Sequence, residues 1–149
     1  MEVNNEEIFK KAKEYFEETE DIIPFNENDE IPKMEGNIYG LYVDKKLMYI
    51  GERQNGKIHE RLKQHFRGCS ESTKSKHKEI SEEVNNKKKV GYKTLLIEPD
   101  YERYSLETYL IINIKDLPWN CRDKGSKKKV AELSSTDDIE VELSENEDE

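Results

Sequence analysis

The chain has 149 residues, of which 33% are hydrophobic and 40% are charged, with a formal net charge of −9. This length predicts one domain with a small core, and the high charge predicts disordered ends. No run of about 18 apolar residues could span a membrane, and the first residues lack a secretory signal pattern. We therefore expect an intracellular protein, cytoplasmic or nuclear if eukaryotic, with no membrane partner. Cys69 and Cys121 are isolated, which argues against a zinc finger or a disulfide framework.

The charge is distributed unevenly along the chain. Residues 1–32 carry 3 basic and 11 acidic residues, whereas residues 33–129 carry 22 basic and 14 acidic residues. Residues 130–149 carry 9 acidic residues and no basic ones. A basic middle predicts a polyanionic partner, and the two acidic ends would oppose its binding.

The first 35 residues predict a helix followed by an irregular acidic linker. Apolar residues of the segment 4–19 recur at helical spacing: Ile8, Ala12, Tyr15 and Phe16. The segment 20–35 contains Pro24 and Pro32 among many acidic residues, which is typical of an irregular connection. We expect the helix to serve packing and not chemistry.

Residues 37–51 predict a β-hairpin, because two apolar runs are joined by a polar turn at residues 44–46. Tyr39 and Tyr49 stand ten residues apart, one on each arm. Neighbouring strands lie about 5 Å apart, so the two phenols can point into one shared pocket.

Two helices and a third strand follow the hairpin. Residues 57–67 predict a short helix in which Arg61 and His65 lie one turn apart on one face. A loop of small residues over 68–75 leads into a second helix over about 75–86. Residues 90–98 then predict a strand that Pro99 terminates.

The most apolar helix is predicted over residues 101–115 and carries Glu107. A carboxylate in such a helix needs a functional or structural reason, since an unpaired buried charge is unfavourable. Asn120 follows the helix, and a basic run (122–129) and an acidic, Ser-rich tail (130–149) complete the chain.

These elements predict an α+β fold with a small three-stranded antiparallel sheet flanked by helices. We divide the chain into an N-terminal helix and acidic linker (1–35), a folded domain (36–122), and a basic run followed by a disordered acidic tail (123–149). Taken singly, each polar residue named above has an ordinary explanation, such as surface exposure or a turn. Their order along the chain is more informative.

That order resembles the GIY-YIG nuclease family. Its second motif, Tyr-Ile-Gly, stands at residues 49–51, and Tyr39 lies at the family spacing before it. Gly40-Leu41-Tyr42 is only seven residues before Tyr49, so we assign the first motif to residues 37–39. The remaining positions of the pattern are matched by Arg61, His65, Glu107 and Asn120. The resemblance covers residues 37–122, and residues 72–75 and 118–120 are similar to segments of phage members of the family.

The resemblance implies a metal-dependent DNA endonuclease. Glu107 would hold one Mg²⁺ or Mn²⁺ ion, Tyr39 would act as general base, and Arg61 would stabilise charge on the phosphate. Tyr49 and His65 would orient water or phosphate, and Asn120 would support the site by hydrogen bonds. The residues expected to contact DNA are Lys57, Lys63, Arg67, Lys74 and Lys76. Cleavage of both strands would require a homo-oligomer on DNA or a second visit.

Two positions depart from the family pattern. Asn37 replaces the first glycine, and Glu52 stands where the family often has lysine. The turn that follows is also about two residues longer, which leaves Arg53 or Lys57 to supply the missing cation. Glu52 in a phosphate pocket would be repulsive, which makes a degenerate fold that binds DNA or protein without cutting the main alternative.

A third hypothesis is that the chain is an interaction protein that binds its partner through the acidic tail. Ile139, Val141 and Leu143 alternate with acidic residues, a pattern that could add a strand to the sheet edge of a protein partner. The tail is also expected to compete with DNA for the basic middle of the chain.

Overall fold

The computed structural model describes residues 5–26, 29–68 and 74–120. Within these ranges the four helices are α1 (Asn5–Glu17), α2 (Ile58–Arg67), α3 (His77–Asn85) and α4 (Arg103–Asn113). The four strands are β1 (Ile23–Phe25), β2 (Ile38–Val43), β3 (Lys46–Glu52) and β4 (Val90–Leu95). Single 3₁₀ turns lie at Asp100–Glu102 and Pro118–Asn120.

The strands form one antiparallel sheet in the order β1-β4-β2-β3. The inner strand β2 is buried along its whole length, because helices cover both faces of the sheet. On one face, Ile38 and Tyr42 pack with apolar residues of α1 and α4. On the other face, Tyr39, Leu41 and Val43 pack with residues of α2 and α3. The predicted α+β fold with a small antiparallel sheet flanked by helices is thus confirmed.

The sheet has four strands and not the three that we predicted. The additional strand, β1, lies within the segment 20–35 that the sequence predicted to be irregular, and Pro24 pairs with Gly91 of β4. Proline cannot donate a backbone hydrogen bond, but an edge strand needs no donor on its outer side. Pro24 is therefore compatible with this edge.

Helix α1 packs into the same core as α4. Phe16 is fully buried there, and its backbone oxygen accepts a 2.6 Å hydrogen bond from the Tyr42 hydroxyl. Lys93 of β4 is also buried, and its ammonium group donates to the backbone oxygens of Tyr15 and Glu18. A cation at the last carbonyls of a helix satisfies acceptors that the helix itself leaves open.

Several sequence expectations concern residues outside the described ranges. These include Cys69, Cys121, the basic run 122–129 and the acidic tail 130–149. The proposed division at residues 35 and 122 remains a prediction. Within residues 5–26, 29–68 and 74–120, no helix is long and apolar enough to cross a membrane.

Candidate active site

The two hairpin tyrosines lie side by side on one face of the sheet. Leu41 pairs with Tyr49, and Tyr39 pairs with Gly51, so the tyrosines are diagonal neighbours on adjacent strands. Their ring centroids are 6.2 Å apart, and both rings are almost fully buried beneath α2. The two rings therefore lie next to each other on adjacent strands, while the shared pocket remains a prediction.

Gly51 leaves the space that the Tyr39 side chain occupies. A Cβ atom placed on Gly51 would lie 2.4 Å from both Cζ and Oη of Tyr39. The phenol therefore extends across the glycine and not past a side chain. In the sequence, Gly51 stands out only as part of the Tyr-Ile-Gly motif. Its steric role becomes clear from the register of the hairpin.

His65 of α2 contacts the hydroxyl group of Tyr39. Its Nε2 lies 2.9 Å from Tyr39 Oη, and its Nδ1 accepts a 2.9 Å hydrogen bond from the backbone N–H of Lys76. Because Nδ1 accepts, the single proton of a neutral imidazole resides on Nε2 and is donated to Tyr39. Burial holds the pKa of His65 well below its usual range, and the charges of Arg61, Arg53 and Lys76 lower it further.

Three charged residues act electrostatically on the Tyr39 phenol. Burial raises its pKa to about 12, while the positive charges of Arg61 and Arg53 oppose that rise. The negative charge of Glu107 adds to it. The phenol is therefore protonated at neutral pH in the protein alone, and further positive charge beside it would favour the phenolate.

Arg61 is buried with an incomplete set of partners. Only 6% of its surface is exposed, Nη1 donates to Gln64 Oε1 at 2.7 Å, and Nη2 lies 3.5 Å from the Lys74 backbone oxygen. Its Nε is buried without a hydrogen-bond partner, and it is the one buried side-chain nitrogen or oxygen in this condition among the described residues. A buried guanidinium with an unused donor suits an anionic ligand. Gln64 was not predicted, although its i+3 spacing from Arg61 could have suggested it.

Asn120 reaches the site only through the backbone of β3. Its side chain is fully buried, accepts from the Ile50 N–H at 2.8 Å and donates to the Ile50 oxygen at 3.1 Å. This pair of bonds satisfies the outer edge of β3 directly beside Tyr49. Asn120 therefore holds the backbone of β3 in place and supports the site through this strand.

Glu107 lies on α4, which packs against β3. In the described part of the chain, no group of three or more His, Cys, Asp or Glu residues could hold a metal ion. A single carboxylate still suits Mg²⁺, which keeps several waters and is commonly bound by one or two carboxylates together with substrate phosphates. The donor chemistry at Glu107 thus fits an ion held largely by water and phosphate.

The predicted DNA-binding residues lie mainly at the surface. Lys57, Lys63, Arg67 and Lys74 are exposed, and Arg67 lies 5.2 Å over the Phe25 ring. Lys76 is half-buried, with its ammonium group 5.2 Å over the Tyr49 ring. Lys76 is therefore the member of this set that joins the tyrosine cluster.

Both departures from the family pattern have partners in the structure. Asn37 is fully buried, and its amide exchanges two 2.9 Å hydrogen bonds with the backbone of Ile97. Glu52 accepts a 2.7 Å hydrogen bond from Arg103 Nε. The repulsion expected from Glu52 is thus offset by a guanidinium that the sequence alone did not bring near it.

No family model matches the chain, and no curated protein matches it. Among solved structures the chain is similar to a mutant of bacteriophage T4 EndoII, with 18% identity and a TM-score of 0.41. The similarity covers 59% of this chain and 72% of that one. A similarity this low carries no argument about activity.

Proposed function

We propose that this protein is a metal-dependent DNA endonuclease that hydrolyses phosphodiester bonds, with Tyr39 as general base. The observation that carries the proposal is the arrangement of Tyr39, His65 and Arg61. A phenol oxygen accepts a hydrogen bond from a neutral imidazole. The charge of the buried Arg61 guanidinium, whose Nε lacks a partner among the described residues, acts on the same phenol. This arrangement provides a base and an anion site next to each other.

Arg61 would bind the scissile phosphate. Its guanidinium is buried, and a charge in such surroundings acts more strongly on a ligand than it would in water. Gln64 fixes one end of the guanidinium, which limits the reorganisation needed as negative charge develops on the phosphate.

Tyr39 would take a proton from the attacking water once the phenol itself has lost its proton. The phenolate would be stabilised by the Nε2–H of His65 and by the charges of Arg61 and Arg53. A Mg²⁺ or Mn²⁺ ion bound at Glu107 would supply Lewis acidity at the phosphate and a positive charge near the phenol. The Tyr49 ring packs at 5.6 Å from the His65 ring and would help to hold the imidazole in place.

The exposed basic residues support DNA as the substrate. Lys57 directly precedes α2, Lys63 lies on α2, and Lys74 shortly precedes α3; all three are exposed and could neutralise backbone phosphates. Each such contact should contribute about one unit to the slope of log affinity against log salt concentration. Cleavage of both strands by one site per chain would need a second copy on the DNA or a second binding event.

The alternative is a binding module that holds DNA without cutting it. The observation that favours it is burial: Tyr39 is 1% exposed and His65 is 0% exposed. A phenol that water does not reach, with a pKa of about 12, would not act as a base unless substrate and metal changed its surroundings.

Incubation of supercoiled plasmid with the protein in Mg²⁺ and in EDTA separates the two functions. For an endonuclease we expect nicked or linear plasmid only in the presence of Mg²⁺, and DNA binding both in Mg²⁺ and in EDTA. Glu107→Gln should abolish cleavage, whereas Glu82→Gln, a matched change at an exposed position of α3, should leave it intact. If Glu107→Gln cleaves as fast as wild type, the metal role of Glu107 is wrong. A wild-type protein that binds DNA but never cuts it would support the binding module.

A further inference from the structure

Glu52 and Arg103 join the end of the hairpin to the start of α4. Glu52 is the last residue of β3, and Arg103 is the first residue of α4. Arg103 Nε donates to Glu52 Oε1 at 2.7 Å, and the two side chains are only 15% and 17% exposed. Removing one partner from so sheltered a pair leaves the other charge without compensation.

Asp100 extends this pair into a network. Its carboxylate binds the Arg103 guanidinium and accepts 3.0 Å hydrogen bonds from Asn37 Nδ2 and from the backbone N–H of Asn55. The hydrogen bond from Asn37 lowers the pKa of Asp100, and those from Asn55 and Arg103 act in the same direction. The carboxylate thus connects the start of β2, the turn after β3 and the start of α4.

The turn at residues 53–56 carries Arg53, which directly follows Glu52, the last residue of β3. The Arg53 N–H donates to the Asn37 oxygen at 3.1 Å, and Asn55 Oδ1 accepts from the Gly36 N–H at 2.9 Å. Arg53 Nη1 donates to the Glu52 backbone oxygen at 3.0 Å, which directs the guanidinium along the strand end. Its charge lowers the pKa of both Tyr39 and His65, so it lies within electrostatic reach of both.

We propose that Glu52, Arg103 and Asp100 are positioning residues that hold Arg53 beside the Tyr39–His65 pair and fix it relative to Glu107 on α4. The inference rests on the proposed function, since Arg53 then supplies the cation next to the scissile phosphate. It gives Glu52, which looked adverse in the sequence, a role in assembling the site. A small displacement of Arg53 would weaken its effect on the transition state, since reacting groups tolerate little misplacement.

A purely structural role for the network makes different predictions. In that case the variants would lose activity only in proportion to their loss of folded protein. A positioning role requires loss of activity in fully folded protein, and that loss should depend on Arg53. The experiment therefore combines thermal unfolding, amide hydrogen exchange and cleavage kinetics.

The first arm compares Arg103→Met with the double variant Glu52→Gln/Arg103→Met. The single change leaves the carboxylates of Glu52 and Asp100 without the guanidinium that both bind, and it should lower Tm. The double change removes one of those charges and should restore part of the Tm. Hydrogen exchange at the Asn55 amide should be faster in both variants. In both, kcat/KM should be lower than in wild type by about 10-fold. Lys46→Met, which breaks an exposed ion pair with Asp116, serves as the control. It should change neither the exchange at Asn55 nor kcat/KM.

The second arm is a double-mutant cycle of Glu52→Gln and Arg53→Gln. If Glu52 acts through Arg53, its replacement should lower kcat in wild type but have little further effect once Arg53 is gone. Additive effects in folded protein would overturn the inference. Unchanged exchange at Asn55 in Arg103→Met would overturn it whatever the activity. A wild-type protein without cleavage would instead overturn the proposed function, and faster Asn55 exchange in Arg103→Met would then still support the anchoring of the turn.

Discussion

Gly51 lies directly opposite Tyr39 in the sheet, and the Tyr39 phenol occupies the space that a side chain at Gly51 would fill. The contact explains why a glycine stands at this position of β3. It also links the backbone register of β2 and β3 to the position of the phenol oxygen. A one-residue shift in the register would turn Tyr39 to the opposite face of the sheet.

Gly51→Ala should displace Tyr39 and abolish cleavage. A Cβ atom 2.4 Å from the phenol cannot be accommodated unless the ring moves, and overpacking of this kind destabilises a core by about 1–3 kcal/mol. The measurement is the cleavage rate beside the free energy of urea unfolding. Gly40→Ala is the matched control on the opposite face, where the nearest atom is the flexible end of Leu47 at 2.9 Å. We expect Gly40→Ala to lose stability while it keeps its cleavage rate in the folded state.

The cleavage rate should rise with pH through the neutral and mildly alkaline range. Tyr39 acts as a base only when deprotonated, and in the protein alone burial raises its pKa to about 12. While the pKa remains above the working pH, each pH unit increases the phenolate fraction about 10-fold. Single-turnover rates from pH 6.5 to 9 test this. A profile that is flat across the range would rule out a high-pKa phenol as the base.

Acid should destabilise the protein through His65. The folded pKa of His65 lies well below 6.5 because the ring is buried, so the unfolded chain binds a proton that the folded chain does not. Stability from this residue is therefore complete above pH 6.5 and declines as the pH falls, by at most about 1.4 kcal/mol per unit. Urea unfolding between pH 7.5 and 5 measures the slope. His65→Gln should flatten it, whereas His77→Gln, which leaves His65 in place, should not.

Asn120→Ala should destabilise the fold by roughly 2–4 kcal/mol, because the Ile50 N–H and oxygen both lose their buried partner. Cleavage should also fall, since β3 carries Tyr49 next to the freed backbone. Asn113→Ala removes only an exposed hydrogen bond to the Tyr109 oxygen and is the matched control. Equal stabilities of the two variants would contradict the role assigned to Asn120.

Local patterns predicted most of the secondary structure, whereas the contacts between distant residues had to come from the structure. Periodicity is enough to place Arg61 and His65 on one helix face and the two tyrosines on neighbouring strands. The pairing of Glu52 with Arg103 joins residues 51 positions apart, and no local pattern encodes it. Strand β1 was missed for a related reason, because only its pairing with β4 makes a Pro-containing segment a strand. The burial of Lys93 could not be predicted from local patterns either, since its acceptors lie at the end of α1.

The most direct test of the proposed active site is the single-turnover cleavage rate of Tyr39→Phe, measured with its DNA affinity. Phenylalanine keeps the ring that packs over Gly51 and removes only the oxygen that His65 contacts at 2.9 Å. We predict unchanged DNA affinity in EDTA and a cleavage rate in Mg²⁺ lower by about 10²–10⁴-fold. A Tyr39→Phe protein that cleaves DNA at the wild-type rate would contradict the account.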